Sequence, residues 1–156
     1  MKHVLISFLL FITVIFPTRI LSGQNSITTH TISHSAHEAR SVSAADIDGD
    51  GDMDVLAGHN NIAWYENDGS ESFTPRTIST SAASSVHAVD LDGDGDMDVL
   101  SGHHNIVWYE YDGLGSFIPH TISISAASSV YAVDLDGDGD MDVVGSSDGS
   151  VSWYEN

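Results

Sequence analysis

A nine-residue acidic loop recurs three times in this chain at a fixed interval of 44 residues. It carries Asp46, Asp48, Asp50, Asp52 and Asp54, then Asp90, Asp92, Asp94, Asp96 and Asp98, then Asp134, Asp136, Asp138, Asp140 and Asp142. Glycines occupy the fourth and sixth positions each time. A fixed period of this length points to a repeat architecture in which one supersecondary unit is stacked on copies of itself. The same loop sets an electrostatic condition. Two unit charges about 5 Å apart repel by roughly 0.8 kcal/mol even in water, and by more when partly buried. Five alternating carboxylates therefore call for a counter-ion.

The ligands on offer are all hard oxygens, which select calcium over softer metals. Alternation brings the first, third and fifth aspartates around one point. Gly51 at position six lets the backbone turn back through positive φ. Position seven, Asp52, then offers its backbone carbonyl with its side chain toward water, and Asp54 closes the site. About three ions, one per loop, are expected. An EF-hand would place a bidentate glutamate at position twelve between helices. Here position twelve is Ala57, Ser101 or Gly145, and the flanks read as strands.

The second copy shows the unit most clearly. Ser85–Leu91 enters the loop and Asp98–Gly102 leaves it. Asn105–Tyr111 returns, and Phe117–Ser123 follows a glycine turn. These short β-branched runs, separated by turn residues, predict one four-stranded antiparallel sheet per copy. No helical period appears outside the N-terminal segment. Trp64-Tyr65, Trp108-Tyr109 and Trp153-Tyr154 align on the third strand. They are read as core, with sugar stacking as the sharper alternative. Ser43, His87 and Tyr131 share one position just before the loops, where either an exposed surface or a size-tolerant buried site fits. The first copy has two extra residues within His34–Arg40, and the third has one near Asp148.

Residues 1–23 read as a secretory signal peptide: Lys2, an apolar run from Val4 to Phe16, Pro17, then Ser22-Gly23. The run is too short to span a bilayer, so no membrane insertion is expected after cleavage; an uncleaved anchor is the alternative, because Leu21 is a poor residue at the −3 position. The remainder, residues 24–156, forms the repeat domain, with repeats of about 30–73, 74–117 and 118–156. It keeps Arg40 and Arg76 as its only strong cations against 23 acids, a balance that disfavours nucleic acid and anionic membranes. The chain has no cysteine, which excludes disulfides and a thiol nucleophile.

The triple loop and the Trp-Tyr-Glu strand that follows it resemble the FG-GAP-like (VCBS-type) repeat family, known from the calcium-binding β-propeller of integrin alpha chains. The resemblance spans roughly residues 30–156. It implies an all-β fold of propeller-type blades and calcium in each loop. The family's glycine is matched by Gly58 and Gly102 and, with less clarity, by Gly145. The Ala-Pro that follows it is replaced by His59-Asn60, His103-His104 and Ser146-Ser147.

Three blades are fewer than the four to eight of ordinary propellers. The chain is therefore expected to be a piece of a larger propeller or to self-associate into a ring. Ile27–Ser33 reads as a fourth-strand element, while the chain stops on a third strand at Glu155. Catalysis finds no support. Gly-x-Ser-x-Gly is missing, and His34-Ser-Ala-His37-Glu38 is not the His-Glu-x-x-His of zinc proteases. His59, His103 and His104 at one turn read as solvated residues, with a transition-metal site as the alternative. The expected role is a secreted, calcium-binding scaffold for an extracellular protein or glycan. The alternative is the propeller or accessory region of a secreted carbohydrate-active enzyme.

Overall fold

The computed structural model describes residues 27–36 and 38–156. The segment read as a signal peptide lies outside them, as does His37. The unit Thr31–Asn156 is built entirely of strands and turns. Its first sheet comprises β1 (Ser41–Ala45), β2 (Asp54–Gly58), β3 (Ile62–Asn67) and β4 (Phe73–Ser79). The second comprises β5 (Ser85–Val89), β6 (Asp98–Gly102), β7 (Ile106–Tyr111) and β8 (Phe117–Ser123). The third comprises β9 (Ser129–Val133), β10 (Asp142–Ser147) and β11 (Ser150–Tyr154).

Each sheet is an antiparallel meander whose strand order follows the chain, β1-β2-β3-β4 and β5-β6-β7-β8, while the last has three strands. This is the blade pattern of a propeller. The sheets are out of phase with the sequence periods. Phe73–Ser79 and Phe117–Ser123 fold with the blade before them, across hairpins closed by Asp68 N to Ser72 O at 3.1 Å and Asp112 N to Ser116 O at 3.0 Å. Ile27–Ser33, expected as a fourth strand, forms no strand.

Two apolar layers lie between the blades. Ala45, Ile47, Leu56, Ile62 and Trp64 of blade 1 pack on Ala83, Val86, Val99, Val107 and Tyr109 of blade 2. Leu91, Leu100 and Ile106 of blade 2 pack on Ala127, Val130, Ala132 and Val143 of blade 3. The strand period of two puts Val99 and Leu100 on opposite faces, so the middle blade feeds both layers. Trp64 is almost fully buried and meets Tyr111 and Phe117 edge-on at 6.4 and 6.5 Å between ring centres. Trp153 on the last blade is 45% exposed.

Hydroxyl groups join the innermost strands. Ser41 Oγ accepts from Val86 N at 3.0 Å and Ser85 Oγ accepts from Val130 N at 3.1 Å. Ser43, His87 and Tyr131 form a row beside them, with His87 and Tyr131 rings 4.6 Å apart. That row is partly covered blade by blade and opens at Tyr131, which is 56% exposed.

Candidate metal centres

Each acidic loop bridges the innermost strand of a blade to its second strand. Two glycines per loop take positive φ, at 73° and 99° for Gly49 and Gly51, and nearly the same values recur in the other copies. The expected turn at position six is present, and position four turns as well. Both bends let successive carboxylates curl back on loop amides. Gly51 N donates to Asp46 Oδ2 at 2.9 Å and Asp52 N donates to Asp50 Oδ1 at 2.9 Å. Gly95 N to Asp90 Oδ2 and Gly139 N to Asp134 Oδ2 repeat the first contact at 3.1 and 3.2 Å.

Three carboxylate clusters result. Asp46, Asp48 and Asp50 bring ligand oxygens within 4.8 Å of one another, as do Asp90, Asp92 and Asp94. In the last blade the set is Asp134, Asp136 and Asp142, without Asp138. Asp46 Oδ1 is buried with no hydrogen-bond partner, and a cation is the natural complement for such an oxygen. The donor set is all carboxylate oxygen, which fits calcium. Among the described residues no histidine joins a cluster of this kind.

The electrostatics carry the same cost. Burial holds the Asp48 carboxyl above its usual range, and the charges of Asp50 and Asp54 add to this. For Asp136 the Asp138 amide pulls downward, but desolvation and the charges of Asp138, Asp142 and Asp134 outweigh it. Crowded anions thus favour protons where a cation would serve better.

The ninth position has a further role that the sequence reading missed. Asp98 is buried, and its two oxygens accept from Leu91 N at 3.1 Å and Tyr111 N at 2.9 Å. Asp54 repeats this with Ile47 N and Asn67 N, and Asp142 with Leu135 N and Asn156 N. These carboxylates clasp the start of the loop to the end of the third strand. Burial drives Asp98 upward against its amide bonds, whereas the Asn156 amide leads in drawing Asp142 downward. The available signal was phase, since Asp98 lies two residues from Leu100 in the same strand.

Position seven is exposed at Asp96 and Asp140 and half-buried at Asp52. A Cβ added to Gly113 would meet Asp96 Oδ2 at 2.8 Å, and Asp52 crowds Gly69 in the same way. These carboxylates lie against the turn between the third and fourth strands.

The turn glycine needs one correction. Ser41 pairs with Gly58 and Ser85 with Gly102, but Ser129 pairs with Ser146, so Gly145 is one place out of register. Added Cβ atoms at Gly58 and Gly102 would sit 2.9 and 2.7 Å from Val86 and Val130 of the following blade. No described blade follows Ser146, and a side chain is accommodated there.

The FG-GAP-like repeat profile matches residues 55–101 and again residues 99–145, more than half of the chain. The chain belongs to the FG-GAP-like repeat family. No curated protein matches it. Among solved structures it is similar to an Agrocybe aegerita lectin described as recognising non-reducing terminal N-acetylglucosamine. That likeness has 22% identity and a TM-score of 0.49, over 67% of this chain and 32% of the lectin. The FG-GAP-like chain therefore spans about a third of that structure's length.

Proposed function

We propose that this FG-GAP-like chain is a secreted, calcium-stabilised and non-catalytic binding module. The observation that carries the calcium reading is the convergence of three carboxylates in every loop, with Asp46 Oδ1 buried and unpartnered. Asp46, Asp48 and Asp50 would hold one ion, Asp90, Asp92 and Asp94 a second, and Asp134, Asp136 and Asp142 a third, with Asp54 and Asp98 fixing their loops and lending remaining lone pairs. Asp52, Asp96 and Asp140 would contribute backbone carbonyls. The ion supplies charge compensation, and the blades supply the rigid frame on which turns are displayed. Secretion is supported by the layout of residues 1–23 and by a loop chemistry suited to millimolar extracellular calcium. The acidic surface favours an extracellular protein or glycan over polyanions.

Isothermal calorimetry of the chelator-stripped protein tests the first part. Three calcium ions per chain are expected, with magnesium much weaker because it dehydrates reluctantly. Fewer than one ion per chain at millimolar calcium would overturn the reading. A glycan array probed with and without calcium tests the recognition part. Signal lost on chelation supports a glycan ligand, and a flat array in both conditions leaves protein as the partner class.

A further inference from the structure

The third blade has an open edge at β11 (Ser150–Tyr154), where β4 and β8 close the other two blades. We infer that a second copy of this chain fills that edge with its segment Ile27–Ser33.

The segment reads Ile-Thr-Thr-His-Thr-Ile-Ser, against Phe-Thr-Pro-Arg-Thr-Ile-Ser in β4 and Phe-Ile-Pro-His-Thr-Ile-Ser in β8. The registers Trp64↔Arg76 and Trp108↔His120 place His30 opposite Trp153, Thr29 opposite Tyr154 and Thr28 opposite Glu155. In blade 2, His120 stacks on Trp108 at 4.6 Å and meets Glu110 at 2.7 Å. In blade 1, Arg76 lies over Trp64 at 5.6 Å and pairs with Glu66. His30, Trp153 and Glu155 supply the same three chemistries for the last blade.

Two further features agree with that placement. A cavity of about 130 Å³ lies beside Trp108, lined by Leu91, Ile122, Met141, Val143 and Tyr154 among others. In the preceding interface the matching tryptophan, Trp64, is covered by Tyr111 and Phe117. The docked segment would bring Ile27, the counterpart of Phe117, to this cavity. Secondly, Tyr109 Oη donates to Ser79 Oγ and Tyr154 Oη to Ser123 Oγ, each at 3.1 Å, from one blade to the strand that precedes it. Tyr65 and Ser33 are the corresponding pair.

Connectivity separates the segment from blade 3 of its own chain and assigns the donation to a second copy. A fourth strand leads into the innermost strand of the following blade, as residues 80–84 join β4 to β5. Residues 34–40 likewise join the segment to β1, and Ala36 already packs on the face of blade 1 that carries Ala57, Ala63 and Tyr65. The segment therefore belongs to a blade on that face, whereas blade 3 of the same chain lies beyond blade 2. Reciprocal donation between two copies would join six blades and pair the β11 edge of each. The association stands apart from the calcium reading.

Sedimentation of the full chain in calcium buffer should give a dimer. Proline at position 29 is compatible with pairing, because Pro75 and Pro119 occupy that place in β4 and β8. Position 28 falls on the alternate, hydrogen-bonded register. Thr28→Pro should weaken dimerisation at least about tenfold and Thr29→Pro should leave it unchanged. Thr31 and Ser152 face one another at a close pair, so mixed Thr31→Cys and Ser152→Cys chains should form a covalent heterodimer on oxidation. A wild-type monomer at every concentration, equal loss with both prolines, or an intrachain crosslink in the double-cysteine variant would each overturn the inference.

Discussion

Asp98 joins the beginning of its loop to the end of β7 through two backbone amides in a buried setting. Removing that carboxylate leaves both donors without acceptors, at roughly 1–3 kcal/mol each. Asp98→Ala is therefore expected to lower stability by about 3–5 kcal/mol in urea unfolding, and Asp98→Asn, which keeps one acceptor, by about half as much. A loss under about 1 kcal/mol for the alanine variant would remove the clasp from the account. His87 gives a second measurement at this scale. Burial between β5 and the Tyr131 ring holds its imidazole below the usual histidine range. Its folded pKa is lower than its unfolded one, so its contribution is complete above about pH 6.5 and is lost as pH falls through the folded value. Melting temperature should decline between pH 7.5 and 5, and His87→Gln should flatten part of that decline. The five-aspartate pattern made the loops legible in the sequence. The division of labour among the aspartates was not, because accepting an amide and facing an ion call for the same residue type.

At the scale of elements, the four strands of the second blade fall within a residue or two of where β-branched runs and glycine turns placed them, since the period of two and the turn residues agree locally. Two features escaped that reading, and both depend on a neighbour rather than on local sequence. Ile27–Ser33 has strand composition, yet it forms no strand, since composition alone does not supply the pairing partner a strand needs. Gly145 looks like the counterpart of Gly102, but strand pairing gives that place to Ser146. The glycine is required where the next blade comes close, and Gly102 meets Val130 across that gap. Gly102→Ala should cost about 1–3 kcal/mol through overpacking, while Ser146→Ala should stay within about 0.5 kcal/mol. Equal effects at the two sites, read from matched denaturation curves, would contradict this contact.

For the whole molecule, the two apolar layers meet in blade 2, so the blades are expected to melt as one unit rather than separately. Calcium at about tenfold above its dissociation constant would add roughly 1.4 kcal/mol per site, or about 4 for three. Set against a usual stability of 5–15 kcal/mol, this is a large share. The melting temperature should fall by roughly 10–15 °C when calcium is replaced by excess chelator. An unchanged midpoint would show that the loops do not stabilise the fold.

The links at residues 80–84 and 124–128 have the same length, and each carries the chain from the last strand of one blade to the first strand of the next. Because these two joints match, an in-frame duplication of one 44-residue period would add a blade without inventing a new connection. In such a design the number of blades can change by gene copying alone, and natural selection has only to tune the residues on the outermost turns.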